Sequence, residues 1–182
     1  MFARTERLTL RHGWIEDAPA LARAIAHESV AMKLARLPWP YGLSDAEGWL
    51  SQPRGVNDPN LLIFRHKEDG CALVGGIGID MDGEHGPELG YWITPAAWGR
   101  GYATEAGRAV LEIARASLKL RRVLSGHFVD NPASGRVLAK LGFRATGHVE
   151  QRHCVARRTR VPCATYELEL AEVGAGRELI AA

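Results

Sequence analysis

The chain has 182 residues, 46% of them hydrophobic and 24% charged, and a net charge of +2. That length and balance suit one soluble globular domain with a real core, and so small a net charge argues against nucleic acid or an anionic membrane as the main partner. Cys71, Cys154 and Cys163 are too few and too scattered for a disulfide framework or a metal cluster, which fits a reducing cytoplasm. No apolar run nears the roughly 20 residues of a membrane span, and the polar start, Met1 to Arg7, lacks a signal-peptide core.

Residues 4–11 alternate around Leu8 and Leu10 and read as an edge strand. Glu16 and Asp17 open a helix through Leu21 and Ile25, acids in a first turn being favoured by the dipole. Leu37-Pro38-Trp39-Pro40-Tyr41-Gly42 cannot be regular helix, whereas Ser44-Asp45-Ala46-Glu47 has the spacing of a capping box leading to Trp49 and Leu50. Strands follow at 60–66, 71–80 and 88–94, separated by polar glycine-containing turns. A helix over 101–118 carries Ala103, Ala106, Val110, Leu111, Ala114 and Leu118 on one face. After a strand at 122–129, Asn131-Pro132 places a cap and a first-turn proline in order, and Gly142 ends that helix. Strands at 143–149 and 164–170 close the domain.

The stretch that carries most chemistry is Trp98-Gly99-Arg100-Gly101-Tyr102-Ala103-Thr104-Glu105-Ala106. A glycine turn opening into a helix exposes main-chain N–H groups with no partner inside the helix, and the dipole adds positive charge there. Such a terminus suits a phosphate or diphosphate; the same residues also describe a plain glycine cap.

With that turn, Asn131-Pro132-Ala133-Ser134 and Lys140-Leu141-Gly142-Phe143 in order, residues 8–170 resemble the GNAT N-acetyltransferase superfamily. Within it they look most like the Rim-type branch, which includes acetyltransferases of ribosomal-protein N-termini. The resemblance implies an α/β (α+β) domain over residues 1–173 with a flexible tail at 174–182. Its sheet would be mostly antiparallel, with six to seven strands, two of them splayed at the centre, and about four flanking helices. Acetyl-CoA would lie in the V between 88–94 and 122–129, its pantetheine arm along the strand ending at Ile93. Its diphosphate would rest on the amides of Gly99, Arg100, Gly101, Tyr102, Ala103 and Thr104. Asn131 and Ser134 would contact the arm, and Arg100, Arg136 or Lys140 a phosphate; each of these cations also reads as a solvated surface charge, and Asn131 as a simple cap. Two departures stand out. Trp98 occupies a position that is Gln or Arg in many relatives, and Leu138 replaces the tyrosine that protonates the departing thiolate, leaving Ser134 as the nearest polar substitute.

The implied reaction is direct attack of a primary amine on a thioester, so a base must take a proton and a donor must meet the oxygen's growing charge. Glu88 is the first candidate base, against a solvent-facing carboxylate at a strand end. His127, on the other splayed strand, is the second, against a structural histidine. Trp39 and Tyr41 are placed to wall an acceptor pocket or to pack beneath a loop. Arg152, His153, Arg157, Arg158 and Arg160 fall between the last two strands, as a solvated hairpin or as steering for an acidic acceptor. The acceptor is expected to be a protein or peptide N-terminus, with a small amine as the alternative and a non-catalytic acyl-CoA-binding protein as the rival class. No nucleic acid, membrane or metal is required, and a homodimer through the closing strands is compatible with the pattern. P-loop and dinucleotide-binding readings fail, because no Lys-Ser/Thr pair follows the turn and Gly75-Gly76-Ile77-Gly78 continues a strand.

Overall fold

Alternation along the strands dictates which side of the sheet each helix covers. In the computed structural model, which describes residues 1–53, 55, 58–68, 70–83 and 85–170, the strands are β1 (Phe2–Arg4), β2 (Leu8–Arg11), β3 (Leu61–Lys67), β4 (Gly70–Asp80), β5 (Glu88–Ile93), β6 (Arg122–Phe128), β7 (Arg144–Cys154) and β8 (Thr159–Glu169). They form one sheet in the order β1-β2-β3-β4-β5-β6-β8-β7, antiparallel everywhere except between β5 and β6. The helices are α1 (Ala18–Ile25), α2 (Glu28–Ala31), α3 (Leu43–Leu50), α4 (Tyr102–Ala116) and α5 (Pro132–Lys140). Among the described residues no helix is long and apolar enough to cross a membrane.

One face of the sheet packs α4 and α5 over Leu8, Leu10, Leu61, Ile63, Ile77, Leu89, Ile93 and Val123, joined by Val110, Leu111 and Leu138 from the helices. The opposite face packs α1 and α3, through Leu21, Ile25 and Leu50, on Leu62 and Phe64. Period two therefore sends Leu89 and Ile93 of β5 toward α4 and leaves Glu88, Gly90 and Trp92 on the α1–α3 side.

The fold class holds, with eight strands where six to seven were expected and five helices where four were expected. The first strand is cut in two by a turn, Thr5 N–H donating to Leu8 O (2.8 Å) and Leu8 N–H to the Thr5 hydroxyl (3.0 Å). Helix α2 has a single turn, too short for periodicity to reveal. Helix α3 starts one residue ahead of Ser44, because Gly42 N–H donates to the Asp45 carboxylate (2.8 Å) and makes Gly42 the cap. The closing strands run much further than alternation suggested, so Arg152, His153 and Arg160 lie within β7 and β8 and not in a loop between them. The expected tail at 174–182 lies outside the described residues.

Candidate active site

Helix α4 begins at Gly101, whose φ of 80° and ψ of 4° are left-handed, and Gly99 two residues earlier has φ 73°. Glycine takes this conformation without the Cβ penalty, and the paired left-handed turns present successive amides outward. The first helical bond runs from Glu105 N–H to Gly101 O (3.0 Å), and among the described residues no backbone carbonyl accepts from the amides of residues 99–104. This is an uncovered nest of donors on a helix terminus, which fits a diphosphate. The Trp98 indole N–H donates to Ile93 O (2.7 Å), tying the turn to the end of β5. Tyr102 sends its ring into the core and contributes its amide alone.

Strands β5 and β6 pair over two residues only, Glu88 with Leu124 and Leu89 with Ser125, and then part. The buried Ser125 hydroxyl donates to Leu89 O (2.8 Å) and closes the apex. A cavity of about 1660 Å³ runs from the glycine turn through this fork to the α1–α3 side. Ile93, Gly99, Gly101, Tyr102, Ala103 and Thr104 line its donor end, and Asn131, Ser134, Arg136 and Lys140 line it from α5. The Arg100 side chain is exposed and outside the lining. Asn131 starts α5 without making a side-chain cap bond.

Three polar groups face the fork. The Tyr91 hydroxyl donates to Ser134 O (3.0 Å) and lies 2.7 Å from the Ser134 hydroxyl. Burial pushes the Tyr91 phenol up to about 12, so it stays protonated at neutral pH. His127 Nε2 lies 3.3 Å from the Tyr166 hydroxyl, and a Cβ at Gly135 would come within 2.6 Å of it, so α5 can approach β6 this closely only with glycine there. Glu88 ion-pairs with Arg152, which also holds Glu150 (2.5 Å). Burial alone would lower the pKa of the Arg152 guanidinium, yet the Glu88 and Glu150 carboxylates raise it. Leu138, at the position of the missing tyrosine, is fully buried. Burial pushes the Cys163 thiol up, as expected of a core cysteine and not of a nucleophile.

An acetyltransferase (GNAT) domain model matches residues 7–144. The chain belongs to the GNAT acetyltransferase family. It is 27% identical over 150 residues to the uncharacterized N-acetyltransferase YnaD of Bacillus subtilis (strain 168), covering 81% of this chain and 85% of that one. Its structure superposes on the GNAT-family acetyltransferase from Bacillus anthracis with a TM-score of 0.78 at 25% identity, covering 93% of this chain and 98% of that one. Mycobacterium smegmatis RimJ, solved in complex with CoA-disulfide, shares the fold with a TM-score of 0.71 at 21% identity, covering 89% and 81% of the two chains. The protein is thus an acetyl-CoA-dependent N-acetyltransferase.

On the α1–α3 side of the sheet, the acetyltransferase carries a strap that pattern reading did not reveal. Met32 O accepts from Arg157 Nε (2.7 Å), the Lys33 ammonium lies 4.8 Å from the centre of the Trp98 ring, and Leu34 O accepts from Cys154 Sγ (3.3 Å). Ala35 O accepts from Val155 N–H (2.9 Å), and Arg36 ion-pairs with Asp80. Residues 32–36 therefore run along the β7–β8 hairpin to the end of β4, with the Lys33 side chain reaching over Trp98. Tyr41 lines the cavity and Trp39 does not; burial and then the Asp45 charge push the Tyr41 phenol up to about 12. Of the basic hairpin, Arg152 and Arg157 are committed to Glu88, Glu150 and Asp130 inside the molecule, while His153, Arg158 and Arg160 remain exposed. The Glu150–Arg152 pairing was readable in principle, since residues two apart on a strand share a face.

Proposed function

We propose that the acetyltransferase moves an acetyl group to a primary amine inside the β5–β6 fork, with the amides of residues 99–104 holding the donor's diphosphate. The observation that carries this reading is the unpartnered amide nest opening into a fork within one continuous cavity. Ile93, Asn131 and Ser134 lie along the path from nest to fork, and Arg136 and Lys140 sit where a phosphate of the donor could be met. When bound, acetyl-CoA supplies a thioester whose carbonyl carbon accepts the amine and whose sulfur departs.

The chain's own groups then have separable tasks. Glu88 receives the amine's proton at the carboxylate oxygen not held by Arg152, directly or through water. Ser134, whose Oγ lies 2.7 Å from the Tyr91 hydroxyl, would offer its hydroxyl proton to the departing sulfur. His127, whose Nδ1 is 2.8 Å from Phe128 O and whose Nε2 is near Tyr166, orients that wall and stands as the second candidate base. Tyr41 contacts the acceptor, with Trp39 behind the wall.

The acceptor we favour is a protein or peptide N-terminus, in line with the chain's resemblance to the Rim-type branch, in which Trp98 is common before the glycine turn. A second reading is a small primary amine, which Leu34, Ala35, Arg36 and Tyr41 on the cavity wall would enclose. Screening N-terminal peptides and small amines for acetyl-CoA-dependent release of free CoA tests both. Release with a peptide panel and none with amines supports the first, the converse supports the second, and no release with any acceptor overturns the reaction.

A further inference from the structure

We propose that Arg7, in the turn between β1 and β2, is a positioning residue that locks the diphosphate nest in its binding conformation. The proposal rests on the reading of residues 99–104 given above. Arg7 does not line the cavity, so it does not meet the donor itself. It lies behind the turn, where Nη1 donates to Arg100 O (3.0 Å) and the guanidinium sits 4.9 Å from the centre of the Tyr102 ring.

The carbonyl that Arg7 holds belongs to the Arg100–Gly101 peptide, the unit whose direction decides what the donor meets. With Arg100 O turned back onto Arg7, the Gly101 amide of the same planar unit faces the other way, toward the nest. Glycines at 99 and 101 make this turn reachable, and they also make it easy to flip, because glycine crosses between conformations that other residues cannot adopt. A flipped unit would aim a carbonyl oxygen at a phosphate. The bond from Arg7 opposes that flip.

Arg7 has a second effect through charge. Glu105 lies in the first turn of α4, where its carboxylate would repel an arriving diphosphate. Arg7 answers it with Nε to Oε2 (2.7 Å), Nη2 to Oε2 (2.6 Å) and its own backbone N–H to Oε1 (3.0 Å), while the Thr5 hydroxyl donates to Oε1 (2.5 Å). Burial would raise the Glu105 pKa, yet these bonds hold it below the ordinary carboxylate range, so the pair remains ionised and locally neutral. The helix terminus keeps its positive potential for the ligand.

The test compares two donors, acetyl-CoA and S-acetylpantetheine, which has the thioester and arm but no diphosphate. With an acceptor from the screen, Arg7→Ala should lower kcat/KM for acetyl-CoA about tenfold and that for S-acetylpantetheine less than twofold. Arg7→Lys, which keeps the charge but not the fork of donors, should fall between, at about threefold. Adding Glu105→Gln to Arg7→Ala should restore part of the loss, because the uncovered carboxylate is then gone. An equal fall with both donors, or no fall with acetyl-CoA, overturns the role of Arg7. A wild-type enzyme that does not prefer acetyl-CoA over S-acetylpantetheine would instead overturn the diphosphate nest itself. If Arg7→Ala does not fold, the donor ratio of Arg7→Lys decides the matter by the same criterion.

Discussion

Replacing Ser134 by Ala removes the hydroxyl proposed to meet the leaving sulfur. Its other contact, with Tyr91, is 2.7 Å long, and Tyr91 keeps a second acceptor in Ser134 O at 3.0 Å, which the substitution leaves in place. The buried phenol therefore remains hydrogen-bonded, and the cost to stability should be about 1 kcal/mol or less. The rate cost is larger. A hydrogen bond to a developing thiolate is charge-assisted and contributes about 1.5–3 kcal/mol, which converts to a loss of roughly 10- to 150-fold in the chemical step. Single-turnover CoA release at saturating acetyl-CoA, read beside a thermal melt, measures both quantities. A variant that melts like the wild type and reacts within twofold of it would remove Ser134 from the mechanism.

Glu88→Gln keeps the shape of the Arg152 contact but cannot accept the amine's proton, so turnover should drop by about tenfold or more; unchanged turnover excludes Glu88. Gly101→Ala forces a Cβ into φ 80° at a cost of about 1–2 kcal/mol, and calorimetry should show CoA affinity weakened by about tenfold. Burial pushes the Asp17 carboxyl upward, but the Arg11 guanidinium and the Trp14 amide outweigh it and set the pKa below its ordinary 3.8. A depressed folded value stabilises above pH ~4 and is lost as pH falls through it. Asp17→Asn should therefore lower the melting temperature at pH 7, with the difference from wild type shrinking below about pH 4. Leu138→Ala should cost about 2–5 kcal/mol, measured by denaturant unfolding, because its fully buried side chain fills the core between α5 and the sheet.

The glycine turn at the start of α4 was legible because the main chain builds it. Two glycines, a short turn and a periodic helix say where free amides will be, whatever the neighbours. The opposite end of the cavity depends on side chains brought together from distant segments. Nothing near Glu88 in sequence announces Arg152, and nothing near Lys33 announces Trp98. Arg7 was invisible for the same reason, its partners being 93 and 98 residues away. Strand ends were misjudged where alternation fades: β7 runs through Glu150, Gln151, Arg152 and His153, all polar, and is held by pairing with β8 and not by an apolar face.

The parting of β5 from β6 has a thermodynamic consequence for the free enzyme. An unpaired strand flank in the middle of a sheet is an internal edge, with main-chain groups that lack a strand partner until a ligand arrives. An arm lying in the gap would complete the sheet as a surrogate strand, so occupancy and folding become linked equilibria. A donor at a hundredfold excess over its dissociation constant adds about 2.7 kcal/mol to stability, and the lifetime of the enzyme should then follow the supply of the thioester it consumes.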